Sequence, residues 1–180
     1  TRADKYTNYG QLELIETITI SGTPSSVAFS NLGNFNVHLL TLTNYEATID
    51  GEGAFMRTSS DGGTTIKTSG YKYAYVIGDA NGNFTEDRST SFSRFGKIGK
   101  SGSGSNEKSN SYTYLYGLLD STKYSSATTM ITSFTNSVEY EMRFGSSVSP
   151  VAESVNYLQI DGAGTMDSGI LSLYGIKEYS

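Results

Sequence analysis

One histidine, a Gly-Lys-Ser triplet, several Asp-Gly pairs and two alternating runs of tyrosine are the places where this sequence could do chemistry. His38 could act as the base of a Ser-His-Asp arrangement. It stands in the middle of FNVHLLTL, however, and no Gly-x-Ser-x-Gly elbow accompanies it. With no cysteine and no second histidine, a zinc site lacks its usual donors, so His38 is expected to be an ordinary strand side chain. Gly99-Lys100-Ser101 matches the end of a phosphate loop, but the glycine required five residues earlier is Arg94, and no helical segment follows to receive the anion. In DANGNFTEDRS, Asp79, Asn81 and Asn83 occupy positions 1, 3 and 5 of a calcium loop. Position 6 holds Phe84 where the loop needs glycine, and position 12 holds Thr90 where it needs a bidentate glutamate. A turn rich in side-chain oxygens is expected there, and whether it takes an ion is left open. DGEG (50–53) and DGAGTMD (161–167) could supply the paired carboxylates of a glycosidase, but Asp-Gly is also an ordinary turn former. No catalytic, cofactor or metal residue is expected, and a polysaccharide hydrolase ranks last among the functional classes.

The tyrosines are more informative. Tyr71, Tyr73 and Tyr75 alternate, as do Tyr112, Tyr114 and Tyr116, and period-two spacing puts each trio on one face of its strand. Such rows either pack across strands or a subunit contact, where a phenol suits a half-wet surface, or they stack against sugar rings. All six are candidate interface or glycan contacts.

These residues need a scaffold, and the composition says which. The 180 residues include 20 Gly, 14 Tyr and 8 Phe but no Trp and only 17% charged side chains, with Ser and Thr at most polar positions. Helix surfaces need straight-chain charged residues, whereas β-surfaces accept Thr, Tyr and Ser. Short alternating runs at 12–20, 26–29, 35–49, 54–60, 71–77, 111–119, 128–135, 138–145, 155–160 and 169–176 are separated by turn signals. A phase slip at Ile15-Glu16 predicts a bulge in the first strand. Asp61-Gly62-Gly63 predicts a hairpin into Thr64–Lys67, and a short helix at 121–127 is allowed. The expected fold is all-β: a two-sheet antiparallel β-sandwich with jelly-roll-like connections, forming one domain over 1–180. The segment GKIGKSGSGSNEKSNS (96–111) is Gly/Ser/Lys-rich and is expected to be a mobile surface loop. The net charge of −5 and the lack of a basic run argue against a nucleic-acid partner. No apolar stretch is long enough for a membrane helix, and the first residues lack the pattern of a signal peptide. The closing segment GILSLYGI (169–176) is expected to pair with LELIETITI and turn its apolar residues inward, so that the chain ends as a complete module.

LELIETITISG near the start, SSDGGTTIKTSGYKYAY in the middle and SGILSLYGIK at the end resemble, in order, small β-sandwich virion proteins and fibre-tip modules of tailed bacteriophages. The likeness spans most of the chain and consists of strand and turn patterns rather than a chemical signature. The resemblance implies a non-enzymatic virion structural protein at the particle surface, as a tail-fibre or head-fibre tip in host adhesion or as a capsid decoration. It implies a homotrimer whose partners are other virion proteins and, in an adhesin, a host-surface glycan. The alternative is a carbohydrate-binding module recognising a cell-surface glycan, a use to which Tyr, Ser, Gly and Asn lend themselves.

Overall fold

The computed structural model describes residues 11–135 and 139–177, which form twelve strands and no helix. In chain order they are β1 (Leu12–Ile20), β2 (Ser26–Phe29), β3 (Val37–Ala47), β4 (Glu52–Ser59), β5 (Tyr71–Asp79) and β6 (Phe84–Phe92). There follow β7 (Gly96–Ser101), β8 (Ser109–Tyr116), β9 (Tyr124–Thr135), β10 (Glu139–Ala152), β11 (Tyr157–Gly162) and β12 (Met166–Ile176). An eight-stranded sheet runs β1-β12-β3-β8-β9-β10-β5-β6, and a four-stranded sheet runs β2-β11-β4-β7.

Eight of these strands pair as a jelly roll demands. The first pairs with the last (β1–β12), then inward come β2–β11, β3–β8 and β4–β7, all antiparallel. The other four are two hairpins, β5–β6 between β4 and β7 and β9–β10 between β8 and β11, and both extend the large sheet beyond β8. The expected sandwich is therefore the observed one, with one sheet twice the width of the other.

Alternation fills the space between the sheets. Leu40, Leu42, Leu115, Leu171 and Leu173 project from the large sheet against Phe29, Met56, Ile98, Leu158 and Ile160 from the small one, all of them buried. Each such side chain contributes about 1.5–3 kcal/mol by leaving water. The predicted bulge in β1 is present: the register slips between Leu14 and Glu16. It moves the apolar residues from one face to the other, so Leu12 and Leu14 are exposed while Ile15, Ile18 and Ile20 pack on the core. The closing strand pairs with β1 as expected and also with β3 on its other side. Of the five apolar residues expected inward in 169–176, only Leu171 and Leu173 are; Ile170, Tyr174 and Ile176 take the alternate positions and face out, and Met166 joins the core at the start of the strand.

Four expectations are corrected. Residues 96–111 are not one loop: 96–101 is β7 and 109–111 opens β8, so only 102–108 connects them. The glycines of GKIGKS mark close approach rather than freedom. A Cβ on Gly96 would stand 2.7 Å from Ser147 Oγ, and one on Gly99 3.0 Å from a Leu42 methyl. The oxygen-rich turn is present at 79–83, but the rest of that stretch is β6, whose sequence is almost wholly polar because it is a sheet edge wet on most of its surface. Asp61-Gly62-Gly63 does turn, but Thr64–Lys67 form no strand, and the chain crosses instead to the large sheet. The stretch 121–127 holds a turn and the start of β9, not a helix.

The inserted strands have a structural consequence at β7, the edge of the small sheet. Its free amides are met by side chains of the large sheet: Lys97 N–H donates to Tyr75 Oη at 3.0 Å, and Lys100 N–H to Ser109 Oγ at 3.3 Å. An edge that would otherwise recruit another strand is thereby covered.

Candidate functional site

The residues singled out for chemistry are engaged in structure. His38 is buried on β3, where Nε2–H donates to the Leu32 carbonyl at 2.7 Å and Phe35 meets its ring edge-on. That bond places the proton on Nε2 and leaves Nδ1 a buried, unpartnered acceptor. Burial pushes its pKa below the ordinary value, the Leu32 bond pulling weakly the other way. Gly99-Lys100-Ser101 lies within β7, with Lys100 Nζ on Glu141 at 3.0 Å and Ser101 Oγ accepting from Ala47 N–H. Asp79 organises its own turn: Oδ1 accepts from Asn81 N–H and Asn83 N–H, and Oδ2 from Asn83 Nδ2. These bonds hold its carboxyl below the usual range, those of Asn83 most. Asp161 is buried between Arg94, at 3.1 Å, and Arg57, at 3.6 Å, while Asp50 accepts from Ser103 N–H.

The two tyrosine trios part company. Tyr71 and Tyr75 are buried within the chain, Tyr71 Oη at 2.8 Å from Thr58 Oγ1 and Tyr75 on the β7 edge, and Tyr73 is half-buried with its hydroxyl donating to Asp87 at 2.7 Å. Burial pushes both Tyr73 and Tyr75 up to about 12. Two of these three rings are therefore buried in the chain, the packing alternative of the two, so Tyr71 and Tyr75 are not interface or glycan contacts. Tyr112, Tyr114 and Tyr116 instead line the outer face of β8, with Tyr114 and Tyr116 stacked at 6.5 Å between ring centres.

The register shows what surrounds them. Leu14, Tyr174, Leu39 and Tyr114 lie side by side across β1, β12, β3 and β8, and Leu12, Ile176, Val37 and Tyr116 form the next row. A third runs the other way across the sheet, from Tyr112 through Met130 and Phe144 to Val76. The named residues carry no charge, and the rows continue uncharged until Lys72 on β5 and Arg88 and Glu86 on β6 end them; Leu14 is 55% and Phe144 51% exposed. Beside the bulky rows the same face sinks into a hollow of about 850 Å³, floored by Ala74, Ser126, Thr128 and Ser146 with Lys72 and Arg88 at its border. The large sheet thus presents a ridge of Leu and Tyr next to a valley of small hydroxyl residues. Sequence reading found the tyrosines but missed Leu12, Leu14, Tyr174 and Ile176, because the closing strand's apolar residues were all expected inward and the phase slip in β1 does not itself say which side of it faces out.

A second concavity lies where β5 and β6 overhang β7. Phe55, Tyr73, Phe92, Asp87, Arg94 and Lys97 line a cavity of about 260 Å³. Phe55 alternates with the core residues Ala54 and Met56, so it sits on the outer side of the small sheet, buried under Arg94 and Lys97.

Comparison with known protein families and with curated proteins finds no match to this chain.

Proposed function

We propose that this chain is a non-enzymatic structural protein of a bacteriophage particle, displayed on the surface as a fibre tip in host adhesion or as a capsid decoration. It assembles there as a homotrimer. The observation that carries this reading is the outer face of the large sheet, where three adjacent rows cross most of the strands without a charge. Soluble surfaces ordinarily intersperse charges and keep apolar patches to a few hundred Å². The rows run free of charge from β1 towards β5, about 30 Å at about 4.8 Å per strand, before Lys72, Arg88 and Glu86 end them. A band three residues tall covers on the order of 600 Å², at the lower end of the half-interface of a stable complex. The ridge of one copy seated in the hydroxyl valley of the next is a head-to-tail contact, and a head-to-tail contact that closes gives a ring. The jelly roll adds a fold-level analogy, since viral capsid and lectin domains use it, and the phage resemblance of three strand motifs points the same way. A carbohydrate-binding module is the second reading, favoured by the line of exposed rings at Tyr112, Tyr114 and Tyr116.

Antibody raised against the purified chain, applied to intact particles of the phage that encodes it, tests the setting. Surface labelling, with the chain present in the protein profile of purified particles, is the expected result; a chain absent from those particles overturns the proposal.

A further inference from the structure

The overhang cavity has a charge pattern that the fold itself does not require. Two cations line it, Arg94 and Lys97, and three more, Arg57, Lys100 and Arg143, belong to the ion-pair network beside it. Only three carboxylates meet them: Asp161 on Arg57 and Arg94, Glu141 on Lys100 and Arg143, and Asp87 on Arg143. The surplus is two positive charges in a chain of net −5. Lys97 is the unmatched group. It makes no salt bridge among the described residues, and its Nζ stands 5.3 Å from the centre of the Phe55 ring. A half-buried ammonium facing a ring rather than a carboxylate lacks the pairing that buried charges ordinarily have.

The other walls define what would complete it. Phe92 is half-buried and meets Tyr73 edge-to-face at 4.8 Å, so aromatic surface borders the space. Asp87, fixed by the Tyr73 hydroxyl and by Arg143 at 3.3 Å, retains lone pairs to accept further hydroxyls. At about 260 Å³ the cavity is smaller than pockets for drug-sized ligands, which run from roughly 300 to 1,000 Å³, and it suits a single ring.

We propose that this cavity binds one acidic sugar residue, a pyranose bearing a carboxylate. The carboxylate lies against Lys97 and Arg94, the C–H face of the ring lies on Phe92 and Tyr73, and a ring hydroxyl donates to Asp87. A phosphate ion would satisfy the charge and leave the rings unused; an aromatic carboxylate would use both and leave Asp87 without a donor. The site shares no lining residue with the charge-free rows of the outer face and only Tyr73 with the hydroxyl valley, and its binding groups Lys97, Arg94, Asp87 and Phe92 lie outside the assembly proposed above. Burial pulls Lys97 down to about 8, with the Arg143 charge acting in the same direction. Binding therefore weakens as pH rises through that value and the ammonium is lost.

The full chain is titrated at pH 7 with sodium glucuronate, glucose, benzoate and inorganic phosphate, read by calorimetry and by amide chemical shifts. Glucuronate is expected to saturate at millimolar concentration and to bind at least about tenfold more tightly than the other three. Lys97→Met, which keeps the apolar stem, is expected to weaken glucuronate by about tenfold or more with an unchanged melting curve; Lys97→Gln replaces it if Met disturbs the fold. Raising the pH to 9.5 is expected to weaken glucuronate in the parent chain and to leave the variant unaffected. Absence of saturable glucuronate binding, equal binding of glucose, benzoate or phosphate, or an affinity untouched by either Lys97 variant overturns the proposal.

Discussion

Leu173 and Ile170 lie three residues apart on β12 yet face opposite ways, so the same truncation at each separates what the core requires from what the outer face requires. Leu173 is fully buried opposite Leu40, whereas Ile170 is 41% exposed opposite Thr43. Truncating a fully buried leucine to alanine costs about 3–5 kcal/mol, from the lost transfer energy plus the cavity left behind. Against a domain stability of roughly 5–15 kcal/mol that is a large fraction. At about 2–4 °C per kcal/mol for a chain of this size, Leu173→Ala is expected to melt roughly 6–20 °C below the parent. Ile170→Ala should change the stability of the separated chain by no more than about 0.5 kcal/mol, as exposed positions do. Urea melts at several protein concentrations distinguish the two. The Leu173 loss is already present at the lowest concentration, because it resides within one chain, and any Ile170 loss grows with concentration as copies associate. A Leu173→Ala variant that loses less than about 1 kcal/mol, or an Ile170→Ala variant that loses as much at the lowest concentration, refutes the assignment of faces on this strand.

Gly145 on β10 lies opposite Tyr75, and a Cβ there would stand 2.2 Å from the Ala74 carbonyl oxygen. Backbone cannot yield as a side chain does, so Gly145→Ala is expected to cost at least the usual 1–3 kcal/mol or so of overpacking. Gly164→Ala, whose Cβ would meet only Ile49 at an ordinary 3.4 Å, is the matched control and should stay within about 0.5 kcal/mol in the same urea melts. His38 is the one histidine and its folded pKa is depressed, so the unfolded chain binds the proton first. Its contribution to stability is complete above the unfolded value near 6.5 and is lost as pH falls below it. The single imidazole Hε1 resonance should titrate with a midpoint below 6.5 in the folded protein, and a midpoint at or above 6.5 would show that burial does not depress the ring. His38→Gln, which keeps a donor for Leu32, should reduce the fall in melting temperature as pH falls below that value.

Most of the strands were readable because their period is local. LELIETITI declares both its strand and its bulge, since two adjacent residues break an otherwise strict alternation. The partner of the closing strand was readable from the cost of leaving an apolar strand unpaired. β7 was not, because Gly96 and Gly99 are set by the side chains of the other sheet that crowd them, and those neighbours are distant in sequence. β6 was not, because a wet edge strand with Glu86, Asp87 and Arg88 carries no apolar period. The tyrosine trios look alike in sequence; which one is buried depends on the β5–β6 hairpin overhanging β7, a feature of the insertion rather than of either strand. For the same reason the cavity of Phe55, Tyr73, Asp87, Phe92, Arg94 and Lys97 left no motif: it gathers residues from four separate segments of the chain.

The outer face of the large sheet is tested most directly by mass in solution. Sedimentation equilibrium of the parent chain at about 1–100 µM is expected to give three chain masses, a range in which an interface of this size forms. Leu14→Asp places a charge in the row Leu14, Tyr174, Leu39 and Tyr114 without touching the core, and it is expected to sediment as one chain mass with its fold intact by circular dichroism. A parent chain that remains a single mass throughout, or a folded Leu14→Asp chain that still sediments as a trimer, contradicts assembly through this face.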